Sequence, residues 1–119
     1  MTKFTPELLA EIFKYHPPTT EERKQKHEAC NKATMEFAAA CVPDGIEYRE
    51  WLSTSKETCL EALLDLVKPS VFLDRASREL DSACLYARDE KTSEAVMCVQ
   101  VARMLINQAI TYESLGIEL

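Results

Sequence analysis

The chain is poor in the residues that bend a backbone and in those that build common catalytic sites. Its 119 residues include only two glycines and two histidines. Two glycines are few for a β-sheet protein, which must turn tightly many times. They also exclude a glycine-rich phosphate loop, because Gly45 and Gly116 stand far apart. The scarcity of glycine therefore favours helices over sheets and over nucleotide-binding folds that depend on a glycine loop.

Long apolar runs and paired cysteines are also missing. No apolar run approaches the ~20 residues of a transmembrane helix, and the N-terminus lacks the apolar region of a secretory signal. The five cysteines are odd in number and include no Cys-x-x-Cys pair. We expect them to be small buried residues of a reduced cytoplasmic protein, without disulfides or zinc: Cys30, Cys41, Cys59, Cys84 and Cys98.

The balance of charge limits the possible partners. A formal net charge of -6 argues against a general DNA or RNA binder, which needs a basic surface for the phosphate backbone. It does not exclude a small anionic ligand held in a local basic pocket. We therefore expect no nucleic-acid polymer and no membrane among the partners.

Helix start and stop signals divide the N-terminal half. Thr5-Pro6-Glu7 starts a short helix with Leu8, Leu9, Ile12 and Phe13 on its apolar face, and His16-Pro17-Pro18 ends it. A capping box from Thr19 to Glu22 then begins a helix expected from about Thr20 to Ala40. The break at Pro43-Asp44-Gly45 separates that helix from the next one.

The C-terminal half continues in the same way. Lys68-Pro69 ends the third predicted helix, and Ser70 is placed to cap the next one. The last helix is expected from about Ser93 to Ser114, with Gly116 at its end. Alternation of period two is absent, so the chain is predicted to be a single all-α domain over residues 1–119.

No arrangement of residues indicates a catalytic or metal site. His16 and His27 lack the His-Glu-x-x-His spacing, and there is no Gly-x-Ser-x-Gly elbow. Glu28 beside His27 is more typical of a solvated helix face than of a metal ligand. Cys30 follows His27 closely enough that a catalytic pair of a cysteine nucleophile and a histidine base stays open as an interpretation. Both residues fall on the expected packing face, however, where cysteine is ordinarily inert. We expect no enzyme, no cofactor and no metal.

Two distant segments carry the most specific pattern. The first is Phe13-Lys14-Tyr15-His16-Pro17-Pro18, and the second is Ala102-Arg103-Met104-Leu105-Ile106-Asn107-Gln108-Ala109-Ile110. Together they resemble the two arms of the helical-hairpin domain of phage-encoded cyclic-oligonucleotide sponges. Those proteins sequester the signalling nucleotides of bacterial CBASS or Thoeris immunity without cleaving them. The shared patterns are Tyr-His/Lys-x-Pro before one helix and Ala-x-Met-x-x-Asn-x-x-Ile in the other.

The resemblance implies a domain organisation. The hairpin arms would cover about 13–41 and 89–114, with a helical insertion at about 43–88. The family usually joins its two helices by a short link, so the insertion is a departure typical of longer members. The family also implies a ring-like assembly, often a homo-hexamer, with ligand sites between protomers. From the sequence itself, the narrow, alanine-rich apolar face of the long helices indicates only that more than one chain associates to complete the core.

The resemblance also implies a ligand site. A cyclic di- or trinucleotide needs an aromatic ring for a base, where stacking is worth ~1–3 kcal/mol, and a cation or amide for each phosphate. Tyr15, followed by two prolines, would stack on a base, and Asn31 stands where the family has a basic residue. The full set of predicted ligand-binding residues is Tyr15, His16, Lys26, Asn31, Lys32, Arg103 and Asn107.

The implied function is that of a phage anti-defence protein in the cytoplasm of an infected bacterial cell, and other interpretations stay open. Tyr15 can serve as a hydrophobic staple, and the lysines can be ordinary solvated surface. The main alternative is a helical protein–protein interaction adaptor of a phage or prophage. A third is a small nucleotide-processing enzyme.

Overall fold

The structure, a computed structural model, describes Glu7, residues 21–42 and residues 48–116. Of these residues 88% are helical, and none of them lies in a strand. The predicted all-α class is therefore confirmed. Of the short helix predicted between Thr5-Pro6-Glu7 and His16-Pro17-Pro18, only Glu7 is among the described residues, and it is helical.

Four long helices make up the described part of the chain: α1 (Glu21–Ala40), α2 (Tyr48–Leu66), α3 (Val71–Arg88) and α4 (Thr92–Ser114). The predicted helices from about Thr20 and about Ser93 each begin within one residue of the observed start. The predicted cap of α3 is present, since the Ser70 side chain accepts a hydrogen bond of 3.3 Å from the backbone N–H of Leu73.

The ends of α3 and α4 use left-handed backbone. After α3, the N–H of Lys91 donates to the carbonyl of Tyr86 at 2.8 Å and that of Glu90 donates to Ala87 at 3.1 Å. These two bonds form a Schellman motif, with Glu90 at φ 62°. Gly116 has φ 73° just after α4, as predicted for the end of the last helix.

The helices form a bundle in which each packs on its neighbour in sequence and α1 closes against α4. The contacts of α1 with α4 run antiparallel, because His27 meets Asn107 whereas the earlier Arg23 meets the later Thr111. α3 and α4 are antiparallel as well: Phe72, near the start of α3, lies 5.5 Å from Tyr112, near the end of α4, between ring centroids. The two predicted arms are therefore in direct contact, and α2 and α3 complete the other side of the bundle.

Small residues dominate the core. Ala95, Ala102 and Ala109 are fully buried along α4 at intervals of seven, where they allow neighbouring helices to approach closely. All five cysteines are free thiols; four are buried and Cys98 is half-buried, as expected for inert core residues. Burial raises the pKa of Cys41 to about 12. Among the described helices, none has both the length and the hydrophobicity needed to cross a membrane.

Candidate functional site

A row of polar side chains runs along the junction of α1 and α4. On each helix the members stand four residues apart, or one turn, so they share one face. We call this row the polar seam, and it consists of Arg23, His27 and Asn31 of α1 with Arg103, Asn107 and Thr111 of α4. All six side chains are half-buried. The antiparallel register of the two helices brings the two rows together.

The centre of the polar seam is a hydrogen bond between His27 and Asn107. The His27 Nδ1 atom lies 2.6 Å from the Asn107 Oδ1 atom. Arg23 donates from Nε to the His27 Nε2 atom at 3.4 Å. Because a guanidinium can only donate, Nε2 accepts and the Nδ1 proton of the neutral imidazole is donated to Asn107.

The remaining bonds extend this pair in both directions. Asn107 donates from Nδ2 to the Asn31 Oδ1 atom at 3.5 Å, which is a long and therefore weak bond. Arg23 donates from Nη2 to the Thr111 hydroxyl at 3.0 Å, and that hydroxyl donates to the Asn107 carbonyl at 2.9 Å. The Asn107 side chain thus contacts His27 and Asn31 of α1, and its carbonyl accepts a hydrogen bond from Thr111 of α4. Asn107 therefore connects the two helices.

The Arg103 side chain has unused donor capacity. Its Nε atom is inaccessible to solvent and has no hydrogen-bond partner among the described residues. Arg103 also forms no ion pair with any described residue. Its charge lies close enough to Cys30 to oppose, in part, the effect of burial, which raises the pKa of that thiol to about 11. A buried donor without a partner costs about 1–3 kcal/mol, and more when it is charged. An acceptor that reached Arg103 would recover this free energy.

The structure brings together only some of the predicted ligand-binding residues. Asn31, Arg103 and Asn107 lie in the polar seam, and Asn31 and Asn107 are in contact. Lys26 instead pairs with Glu22 on its own helix at 3.8 Å. Lys32 is exposed on α1.

Lys26 and Lys32 lie on a different side of α1 from the polar seam. Each lysine is next in sequence to a seam residue and so points about 100° away from it around the helix. The structure therefore does not place Lys26 or Lys32 in the polar seam. Tyr15 and His16 lie outside the described residues.

Three members of the seam are not among the predicted ligand-binding residues, namely Arg23, His27 and Thr111. A usable signal was present, because polar residues recur every four positions in both arms. The pattern predicts a packing face for His27 instead, because its immediate neighbours in the pattern are apolar. Only the antiparallel register shows that the two polar rows face each other.

Other candidate sites are less suited to an anion. A groove of about 310 Å³ between α1 and α2 is lined partly by Phe37, Thr58 and Glu36, and no basic residue lines it. A second groove of about 260 Å³ between α2 and α3 contains Lys56 and Arg88 but also two carboxylates, and Lys56 is paired with one of them. Within the described ranges, no three His, Cys, Asp or Glu side chains are grouped to hold a metal ion.

Comparison with known proteins adds no relative. Neither a protein-family model, nor a characterised protein, nor a solved structure matches this chain at a significant level. The fold and the site therefore define the molecule as a helical bundle with a half-buried polar seam between its first and last long helices.

Proposed function

We propose that this protein binds a cyclic oligonucleotide immune messenger, a cyclic di- or trinucleotide, and sequesters it without cleavage as a phage anti-defence protein. The observation that carries the proposal is Arg103. It offers a buried guanidinium N–H without a partner among the described residues, in the seam where the two motif-bearing arms meet.

Arg103 supplies the chemistry that a phosphate requires. A guanidinium forms charge-assisted hydrogen bonds with phosphate oxygens, and these are roughly twice as strong as neutral ones. The Nε atom is closed to water in the ligand-free seam, so in this proposal the half-buried Arg103 side chain moves outward to bring Nε to a phosphate oxygen. The new bond then replaces no bond to water. No carboxylate within the described residues competes for this donor.

The amides beside Arg103 provide the polar contacts for the rest of the ligand. Asn107 is fixed by His27, whereas its bond to Asn31 is long, so the Asn31 amide can exchange that bond for a ligand atom at little cost. Lys26 can contribute a second cation, because its exposed ion pair with Glu22 is worth less than about 1 kcal/mol. In this proposal Tyr15 stacks on a base, His16 supplies a donor or a second stacking ring, and Lys32 is a further candidate cation for a phosphate.

Assembly belongs to the same proposal. Several copies would associate, as a homo-hexamer in the arrangement that the resemblance implies, and the ligand sites would lie between protomers. The assembly would act in the cytoplasm of an infected bacterial cell. The seam supports this arrangement, because its six side chains are only half-buried, so a second copy can cover them and complete a pocket.

A thermal-shift panel of cyclic dinucleotides, cyclic trinucleotides and cyclic ADP-ribose isomers tests the proposal. A ligand at about 100 times its dissociation constant stabilises the folded protein by about 2.7 kcal/mol. For a domain of this size we expect the melting temperature to rise by roughly 10 °C. Chromatography of the ligand released by heating should return it intact, and a converted ligand would favour the nucleotide-processing enzyme instead. A panel without any stabilising member would contradict the proposal.

Arg103→Met separates binding from stability. Methionine retains apolar volume and removes the unpaired donor, so the ligand-free protein should melt at the same temperature or higher. The ligand-induced shift should disappear. The matched control is Arg78→Met, at an exposed position of α3, which should keep the shift. Tyr15→Ala should weaken binding by at least about tenfold, the value of one lost base stack. If Arg103→Met bound the ligand with full affinity, Arg103 would have no part in binding and the proposed site would be wrong.

A second candidate function has its own observation. The outward face of α4 exposes Met97, Val101 and Met104, and such a face suits a helical protein–protein interaction adaptor. An adaptor would not be stabilised by any member of the nucleotide panel, so the same assay separates the two functions.

A further inference from the structure

The outward face of α4 is apolar and carries no charge along three turns. Met97, Val101 and Met104 are 67%, 38% and 57% exposed. We call these three residues the α4 stripe. The other exposed residues between positions 97 and 108 are Gln100 and Gln108, which are neutral. In a chain of which 29% is charged, an uncharged exposed face of this length is unusual for solvated surface.

The spacing of the α4 stripe is that of a coiled-coil seam. Positions 97, 101, 104 and 108 are separated by four, three and four residues, the a/d spacing of a heptad repeat. The inward face of the same helix is a separate row, which includes the buried Val99, Ala102 and Ile106. α4 therefore has two apolar faces, of which one packs into the bundle and the other has no partner among the described residues.

We propose that a second copy of this chain covers the α4 stripe, so that two α4 helices pack antiparallel about a two-fold axis between Val101 and Met104. Charge decides the partner. Two chains that each carry a net charge of -6 repel each other overall, and the uncharged stripe is a surface on which they can meet without bringing like charges into direct contact. A basic or acidic partner would find no complementary charge along it. A two-fold contact also requires one self-complementary patch, which this face supplies.

The charge of Glu94 favours an antiparallel orientation of the two α4 helices. Glu94 is exposed and continues the heptad line one turn before Met97. A parallel pair would place Glu94 against Glu94 of the second copy, which is unfavourable. In the antiparallel pair Glu94 instead lies near Gln108 and Thr111 of the second copy, which are neutral. The stripe is short, so we expect a weak dimer with a dissociation constant of roughly 10–100 µM.

Sedimentation equilibrium of the ligand-free full chain, from about 5 to about 500 µM, measures this contact. The weight-average mass should rise from 13.5 kDa towards twice that value. Met97→Glu places a charge in the contact and should weaken it at least tenfold. The control is Met35→Glu on α1, because Met35 is 66% exposed and so matches Met97 in type and exposure. Both variants should melt at the wild-type temperature.

Gln108→Lys tests the orientation. In the antiparallel pair each new lysine lies within reach of Glu94 of the second copy, and the two attractions should tighten the dimer by roughly threefold. In a parallel pair the two lysines would face each other and weaken it. Raised salt should strengthen the wild-type dimer, because it screens the repulsion between two acidic chains.

Three results would overturn the proposal: a monomer at every concentration, equal loss of association in Met35→Glu and Met97→Glu, or a weaker dimer in Gln108→Lys. If larger assemblies form, Met97→Glu should still reduce their mass by removing the two-fold contact, and an unchanged mass would count against it. The measurement uses no nucleotide, so its result is independent of the proposed ligand.

Discussion

Glu90 occupies a backbone conformation that suits glycine, and replacing it should stabilise the protein. Its φ of 62° lies at the position after a helix where the Schellman motif usually has glycine. The Glu90 side chain is exposed and forms no hydrogen bond or ion pair with the described residues. The change Glu90→Gly therefore removes conformational strain without removing a contact.

The magnitude follows from two opposing terms. An L-residue in left-handed backbone costs about 1–2 kcal/mol relative to glycine. Glycine gains more freedom in the unfolded chain, which offsets roughly 0.5–1 kcal/mol of that benefit. We expect Glu90→Gly to raise the free energy of unfolding by about 0.5–1 kcal/mol, and the melting temperature by about 2–5 °C.

Asp89→Gly is the matched control for this prediction. Asp89 is the adjacent residue and also carries a negative charge, but its φ is -87°, so glycine relieves no strain there. That variant should lose about 0.5–1 kcal/mol. Thermal melts followed by circular dichroism, together with urea unfolding, measure both changes. If Glu90→Gly destabilises the protein, or if the two variants behave alike, the reasoning about the left-handed residue is wrong.

Three further predictions concern the seam, the thiols and the cap of α3. Asn107→Ala should lower the free energy of unfolding by about 1–3 kcal/mol, because it leaves His27 without its partner, and a double-mutant cycle with His27→Ala should show coupling. The folded-state pKa of Cys59 is raised by burial to about 12, above the unfolded value of 9.0, so its contribution is complete below pH 9 and is lost as the pH rises towards 12. Urea unfolding between pH 8 and 11 should show this decline, and a stability that rises over that interval would contradict it. Ser70→Ala should cost about 1 kcal/mol through loss of the cap, as measured by urea unfolding.

The helices were predictable because their boundaries depend on local chemistry. Ser70 and Gly116 act through their own backbone and the next turn, so the sequence alone indicates their roles. The conformation of Glu90 depends on more than local chemistry. Nothing local marks a glutamate for left-handed backbone, and its φ results from the tight connection that lets α4 return along α3.

The site was only partly predictable, because its key contacts join residues about eighty positions apart. Arg103 and Asn107 stand out as polar residues in an apolar stretch, which is a local signal. The roles of Arg23 and His27 depend on the register of α1 against α4, and periodicity within one helix carries no information about that register. The positions of Lys26 and Lys32 depend on rotation about the helix axis, which the neighbouring seam residues reveal only once the packing is known.

α4 carries both proposed surfaces, and its geometry allows them to be tested for coupling. Arg103 and Met104 are adjacent in sequence and so point about 100° apart around the helix, one into the polar seam and the other outward. A ligand that contacts one copy alone would bind with the same affinity at every protein concentration, and Met97→Glu would leave that affinity unchanged. A ligand that bridges two copies must tighten the dimer by the same factor by which the dimer tightens the ligand, since binding free energies are reciprocal. The dependence of nucleotide affinity on protein concentration therefore decides whether the seam is a site within one protomer or half of a site between two.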